Sequence, residues 1–282
     1  IHGMEGLNPD DVGVVRSDPN LQVLLRPANT TGYLAFNYKV KELKDVRVRQ
    51  AFAHAINKKA IVGALYGGTG IVATQFQPPA LWGHNKELKD YEYNPERARQ
   101  LLRDAGFAQG LKEITWEDGR REPLQLWYLP VSRPYYPNGK EIGEAMAADL
   151  AKVGIGVQLQ TTDWTVYLDK RKNGQLPLYM LGWTGDNGDP DNFVCYFFCQ
   201  PGASTEGFYA NPALAEVLLQ AQKLTDQQKR AELYRRAERM IHDDAARIFA
   251  AHNQPPLAFL KKVKGYVPNP TNSEYFNTVS LQ

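Results

Sequence analysis

Apolar positions along the chain alternate between helical and strand spacing, and each switch falls at residues that start or stop an element. Asp10 to Ser17 reads as a short helix ended by Asp18-Pro19-Asn20. Leu21 to Leu25 follows as a strand and leads through Arg26-Pro27 to a second strand, Tyr33 to Asn37. Asp45 then caps a helix carrying Val46, Arg49, Phe52, Ala53 and Ile56 on one stripe, stopping at Asn57. Lys59 to Tyr66 forms another, closed by Gly67-Gly68. Asn94-Pro95 sets a cap before a proline at the first helical position, launching Ala98, Leu101, Leu102 and Ala105 up to Gly106.

The middle of the chain carries the clearest pattern. Leu124 to Leu129 is a strand. Lys140 to Val153 is a helix with Ile142, Met146, Leu150 and Val153 on one face, and Ile155, Val157 and Leu159 alternate as a strand. Trp164 to Lys172 is a helix broken at Asn173-Gly174, and Leu178 to Trp183 is a continuous apolar strand of the kind covered on both faces. The order βαβαβ predicts a parallel sheet portion and an α/β fold class. After a Gly/Ser/Asn-rich loop, Asn211-Pro212 opens a helix with Leu214, Val217, Leu218 and Ala221. Thr225 or Asp226 caps the next, with Ala231, Tyr234, Ala237 and Ile241 on one side. From Arg247 the chain is strand-like with Pro-rich turns, and no internal repeat or low-complexity segment is present.

Composition narrows the class. A length of 282 residues fits about two domains, and 43% hydrophobic content is enough for a sizeable core. The 33 basic residues are interspersed with 31 acidic ones for a net charge of +2, so a nucleic-acid role finds no support. No apolar stretch approaches the roughly 18 to 20 residues that span a bilayer, and the opening residues Ile1 to Gly6 lack the charged-then-apolar pattern of a signal peptide. The missing initiator Met predicts a processed or truncated chain. Two cysteines, Cys195 and Cys199, stand at C-x3-C, too few for a structural zinc site and not a C-x-x-C redox motif. Packed thiols are the expected state, with a local disulfide as the alternative.

Most candidate chemistry has a plain reading. Gly68-Thr69-Gly70 follows a helix rather than a strand, which predicts a helix-terminating turn and no dinucleotide cofactor. The acidic loop Asp186 to Asn192 lacks the Gly and distal Glu of a calcium loop, so no metal is expected. His242-Asp243-Asp244 reads as a solvated helix end. No histidine, serine or cysteine grouping supports catalysis, so no catalytic residue is assigned and a metal-dependent hydrolase is unsupported. What remains is a matched pair: Arg133 and Asp186 each lie just beyond an apolar strand of the βαβαβ passage, at the edge where open α/β sheets bind ligands. Arginine grips a carboxylate with two parallel hydrogen bonds, prolines around Arg133 stiffen its loop, and Gly182 and Gly185 would let a ligand backbone approach Asp186 closely. A small zwitterion would satisfy both charges; their pairing with each other is the competing reading.

Several segments resemble the solute-binding proteins of peptide-importing ABC transporters, bacterial extracellular solute-binding family 5: Asp45-Val46-Arg47-Val48-Arg49-Gln50-Ala51 with Ala55-Ile56-Asn57, Tyr93-Asn94-Pro95-Glu96-Arg97-Ala98, Leu233 to Glu238, and Val263-Lys264-Gly265-Tyr266-Val267. Gly182-Trp183-Thr184-Gly185-Asp186-Asn187-Gly188-Asp189-Pro190-Asp191-Asn192-Phe193 resembles the dipeptide-binding branch in particular. The resemblance implies a two-lobed, type II periplasmic-binding-protein fold without enzymatic activity or cofactor, a monomer in the periplasm or on the outer face of the membrane, delivering dipeptides or short peptides to permease subunits. It implies that Asp186 receives the peptide's α-ammonium and Arg133 its carboxylate, with Tyr135, Trp183 and Gly185 completing the site. Oligopeptides, glutathione, haem or nickel chelates are alternative cargoes of the same scaffold. Because family members are longer, residues 1–36 are expected to close the first lobe, 37–255 to form the second, and 256–282 to return to the first.

Overall fold

The structure, a computed structural model, describes residues 1–199 and 207–282. In chain order, β1 (Gly3–Met4), α1 (Pro9–Ser17) and β2 (Leu21–Leu25) precede β3 (Thr30–Phe36), α2 (Val46–Ala55), α3 (Lys58–Leu65), β4 (Gly70–Val72) and α4 (Pro95–Asp104). The hairpin β5 (Glu113–Thr115) and β6 (Arg121–Pro123) leads into β7 (Gln125–Trp127), α5 (Gly139–Ala151), β8 (Gln158–Gln160), α6 (Trp164–Lys172) and β9 (Leu178–Thr184). Then come α7 (Asp191–Phe198), α8 (Pro212–Gln222), α9 (Gln227–Asp243), β10 (Arg247–Asn253), β11 (Pro256–Leu260), β12 (Val263–Lys264) and β13 (Ser280–Leu281). The Gly/Ser/Asn-rich loop before α8 lies partly outside the described residues.

Two sheets organise these elements. One has six strands in the order β4-β10-β3-β9-β7-β8; the other has three, β1-β11-β2. The βαβαβ expectation holds, since β7 pairs in parallel with both β8 and β9. β9 is also antiparallel to β3 over seven residues, from Thr30 opposite Thr184 to Phe36 opposite Leu178. Every residue of β3 and β10 is buried, including the polar Thr30, Thr31, Arg247, His252 and Asn253, as central strands of a sheet covered on both faces are. The chain passes between the sheets twice, at Arg26–Asn29 and at Gln254–Pro255, and the two passages lie side by side, with Arg26 N–H donating to the Pro255 carbonyl at 3.0 Å.

Polar side chains hold the helices in register. Asp45, Asn57, Asn94 and Asp226 each accept a backbone N–H at a helix start. Arg49, 2% exposed, donates to the Leu43, Lys44 and Asp244 carbonyls and to the Asp244 carboxylate. Lys58 is buried and donates to the Ala73 and Phe249 carbonyls and to Asp90. The reading of 242–244 as a solvated terminus is therefore corrected: Asp244 neutralises Arg49, and His242 stacks on Tyr91 with ring centroids 4.4 Å apart.

Other expectations shift. Gly67 and Gly68 close α3 at positive φ, so Gly68-Thr69-Gly70 is the turn the sequence predicts. Ile155 makes an isolated bridge to Leu111 instead of entering β8, which starts at Gln158. Residues 191–198 form a helix that the spacing did not reveal, and Cys195 and Cys199, one turn apart at its end, are joined in a disulfide rather than packed as thiols. A spacing of four brings two side chains to one helix face, which permits the bond.

Candidate functional site

Arg133 sits in a tight turn after β7, where Arg133 and Tyr136 exchange backbone hydrogen bonds at 3.1 and 2.9 Å. Tyr66 fixes that turn by donating its hydroxyl to the Tyr135 carbonyl at 3.1 Å, and Asn253 donates to the Pro134 carbonyl at 2.7 Å. Burial pushes the Tyr66 and Tyr136 hydroxyls well above the usual phenol range, so both remain protonated. The Arg133 guanidinium lies 4.3 Å above the ring of Trp164, the first residue of α6. Its Nε is buried with no hydrogen-bond partner, and no ion pair joins it to a described carboxylate. It lines a cavity of about 470 Å³ together with Arg26, Asn253 and Glu274. Arg26 is already paired with Glu274 and the Asn269 carbonyl, so the uncommitted positive charge there is that of Arg133.

Asp186 follows β9 on the same strand-end edge but does not line that cavity. It is exposed, and its carboxylate is held by Asn192, whose amide donates to Asp186 Oδ2 at 3.0 Å while Asn192 Oδ1 accepts the Asp186 backbone N–H at 2.9 Å. The same Oδ1 accepts the Trp183 indole N–H at 3.1 Å. Trp183 also stacks on Tyr196, with centroids 4.8 Å apart. Asn29, in the first passage between the sheets, bonds Gly185 twice: its carbonyl accepts the Gly185 backbone N–H and its side-chain amide donates to the Gly185 carbonyl, both at 2.8 Å.

The glycines have a different reason from the expected one. A Cβ at Gly182 would stand 2.3 Å from the Tyr135 ring, and at Gly185 2.6 Å from Phe193. It is the protein's own side chains that approach, locking Tyr135 against β9. The structure thus brings together Tyr135, β9 and the Arg133 turn, and separately Trp183, Gly185 and Asp186; Arg133 and Asp186 share an edge but no cavity and form no ion pair. Sequence reasoning missed Trp164, Asn192 and Asn29. Trp164 was legible as a helix start, but its place under Arg133 follows from strand order, and Asn192 belongs to the unforeseen helix α7.

A mixed α/β sheet joined by two adjacent passages to a second, smaller sheet is the architecture of the periplasmic-binding-protein class, type II. The family model of bacterial extracellular solute-binding proteins, family 5 Middle, matches residues 1–205, and the chain belongs to that family. It is 37% identical over 278 residues to the dipeptide-binding protein of Escherichia coli K12, covering 98% of this chain and 50% of the relative. It is 36% identical over 276 residues to heme-binding protein A of Haemophilus influenzae, covering 97% of this chain and 48% of that protein. Among solved structures, the periplasmic binding protein DppA of Helicobacter pylori in complex with the peptide STSA superposes with a TM-score of 0.86 at 29% identity, over 100% of this chain and 52% of that one. The chain spans about half the length of the curated relatives it matches.

Proposed function

We propose that the complete protein captures a dipeptide or short peptide outside the cytoplasmic membrane and delivers it to the permease of an ABC importer, and that this chain carries both charge-reading groups. Arg133 takes the peptide carboxylate and Asp186 the α-ammonium, with Tyr135, Trp183 and Gly185 shaping the wall between them. The observation that carries this reading is Arg133 itself: a guanidinium seated on an aromatic face, its Nε buried without an acceptor, beside a cavity of about 470 Å³. A buried donor left unpaired costs about 1–3 kcal/mol, which a ligand carboxylate relieves. The names of the relatives agree, and the Cys195–Cys199 disulfide suits an oxidising compartment.

In this reading the two passages between the sheets are the lobe crossings. The first falls at Arg26–Asn29 rather than after Phe36, because β3 is bonded on both sides within the six-stranded sheet. The second lobe then runs to Gln254–Pro255, and β11 onward returns to the first.

Haem is the second reading, favoured by the 36% identity to a heme-binding protein. A haem carries propionates for Arg133 but no ammonium for Asp186. Calorimetry on the complete two-lobed protein with Ala-Phe, N-acetyl-Ala-Phe and haem separates the two. Preference for Ala-Phe that disappears in Asp186→Asn supports peptide capture; tight haem binding indifferent to Asp186→Asn overturns it.

A further inference from the structure

Asp186 stands on an exposed loop, with Asn187 and Gly188 beside it also exposed. A carboxylate on such a loop reads an ammonium well only if its position is fixed before the ligand arrives. The loop is tied down from α9. Arg230 grips Asp189 with a two-pronged ion pair, Nη1 to Oδ2 at 2.8 Å and Nη2 to Oδ1 at 2.9 Å, and its Nε donates to the Ala221 carbonyl at 3.2 Å. Nη2 also donates to the Tyr234 hydroxyl at 2.9 Å, and Tyr234 in turn donates to Asp191 at 3.3 Å. Gln222 donates to the other Asp191 oxygen at 3.1 Å. Asp189 accepts the Asp191 backbone N–H at 3.0 Å, and the next residue, Asn192, holds the Asp186 carboxylate. The Arg230 guanidinium lies against Trp82 and Tyr234, 5.1 and 5.5 Å from the ring centroids.

From this continuous chain of contacts we infer that Arg230 is a positioning residue for ligand recognition: by clamping Asp189 and, through Tyr234, Asp191, it fixes the loop that presents Asp186 to the ligand's ammonium. The inference rests on the assignment of Asp186 as the ammonium receptor. Two effects of Arg230 have opposite signs, which makes the inference testable. Through-space electrostatics alone would make its removal strengthen ammonium binding, since a cation near Asp186 disappears. Positioning makes removal weaken it, because Asp189 loses its two-pronged partner, the Tyr234 hydroxyl that reaches Asp191 loses its anchor, and the loop must then be ordered at the expense of affinity.

The experiment is calorimetry on the complete two-lobed protein with Ala-Phe and N-acetyl-Ala-Phe, comparing wild type, Arg230→Gln, Arg230→Lys, Asp186→Asn and the double variant Asp186→Asn/Arg230→Gln. Arg230→Gln should lose about tenfold for Ala-Phe while N-acetyl-Ala-Phe changes less than about twofold, the scale of a charge-assisted hydrogen bond. Arg230→Lys should fall between, keeping the charge but not the fork. In the Asp186→Asn background, Arg230→Gln should have no further effect on Ala-Phe, as expected of groups acting as one unit. Equal losses for both ligands, no loss, or tighter Ala-Phe binding overturns the positioning role. If Asp186→Asn itself fails to discriminate the two ligands, the ammonium assignment and this inference fall together; if it does discriminate and Arg230→Gln behaves as wild type, this inference alone falls. Asp189→Asn releases the same clamp from the loop side and replaces Arg230→Gln should that variant not fold.

Discussion

The guanidinium of Arg133 stands over the ring of Trp164, 4.3 Å from its centroid, so the residue proposed to read the ligand's carboxylate is seated on α6 rather than on its own loop. The aromatic face restrains the long side chain without occupying its N–H donors. In the proposed reading those donors are left for the ligand's carboxylate.

Removing the seat should therefore weaken binding less than removing the cation. In the complete protein, Trp164→Ala should cost about 0.5–1 kcal/mol of dipeptide affinity, the scale of a partly exposed cation–π contact. Arg133→Ala should cost roughly 3 to 5 kcal/mol if closure buries the ligand carboxylate, and Arg133→Lys should not rescue it. Calorimetry orders the three; a Trp164→Ala loss as large as that of Arg133→Ala contradicts the seat-and-reader division.

Glu238 predicts a pH dependence of stability. It is fully buried on α9, accepts the Phe76 and Gln77 backbone N–H groups at 3.1 and 2.8 Å, and burial pushes its carboxyl up to about 7. Since the unfolded group titrates near the ordinary value of about 4.3, the folded state holds the extra proton between those values. Stability thus falls as pH rises from about 4.5 through 7, by roughly 3 kcal/mol from this group, and levels off above. Thermal melts across that range should show Glu238→Gln losing this component of the slope; identical slopes in both proteins reject it.

The disulfide gives a smaller, separable effect. It closes the end of α7, whose Tyr196 and Phe197 pack on Trp183. A loop this short constrains the unfolded chain by only about 2 kcal/mol. Cys195→Ser/Cys199→Ser should lower the melting temperature by a few degrees, and reductant should do the same to wild type while leaving the double variant unchanged.

Much of the sheet was legible because its strands announce themselves in two ways, as the fully apolar run Leu178 to Trp183 and as the βαβαβ alternation around it. The matched positions of Arg133 and Asp186 followed from that pattern alone. What surrounds them did not. α7 carries Phe193, Val194, Phe197 and Phe198 buried on several sides, so no single stripe marks it, and its start is hidden in an acidic turn. Arg49 falls on the apolar stripe of its helix, but neither its partners nor those of Lys58 can be read from spacing: both are buried because backbone carbonyls from distant elements complete their hydrogen bonds. Such partners are set by tertiary packing, which local periodicity does not encode. Asn192 as the anchor of Asp186, and Arg230 behind it, belong to the same category.

The openness of the site predicts how this chain behaves by itself. The six-stranded sheet has its own continuous core, from Tyr33 and Phe52 through Met146 to Ile248, so residues 1–282 should unfold in a cooperative transition without the remainder of a two-lobed protein. Asp186, however, is exposed and Arg133 only half-buried, and water screens both. Exposed ion pairs contribute about 0–1 kcal/mol each, so the two contacts together cannot hold a dipeptide tightly. Ala-Phe should bind this chain no better than millimolar, on the order of 4 kcal/mol, while the complete protein of the proposed reading should bind far more tightly by closing its first lobe over the same two charges. Side-by-side titrations decide: equal tight binding by the chain and the complete protein would mean that the site is finished within these residues and that closure adds nothing.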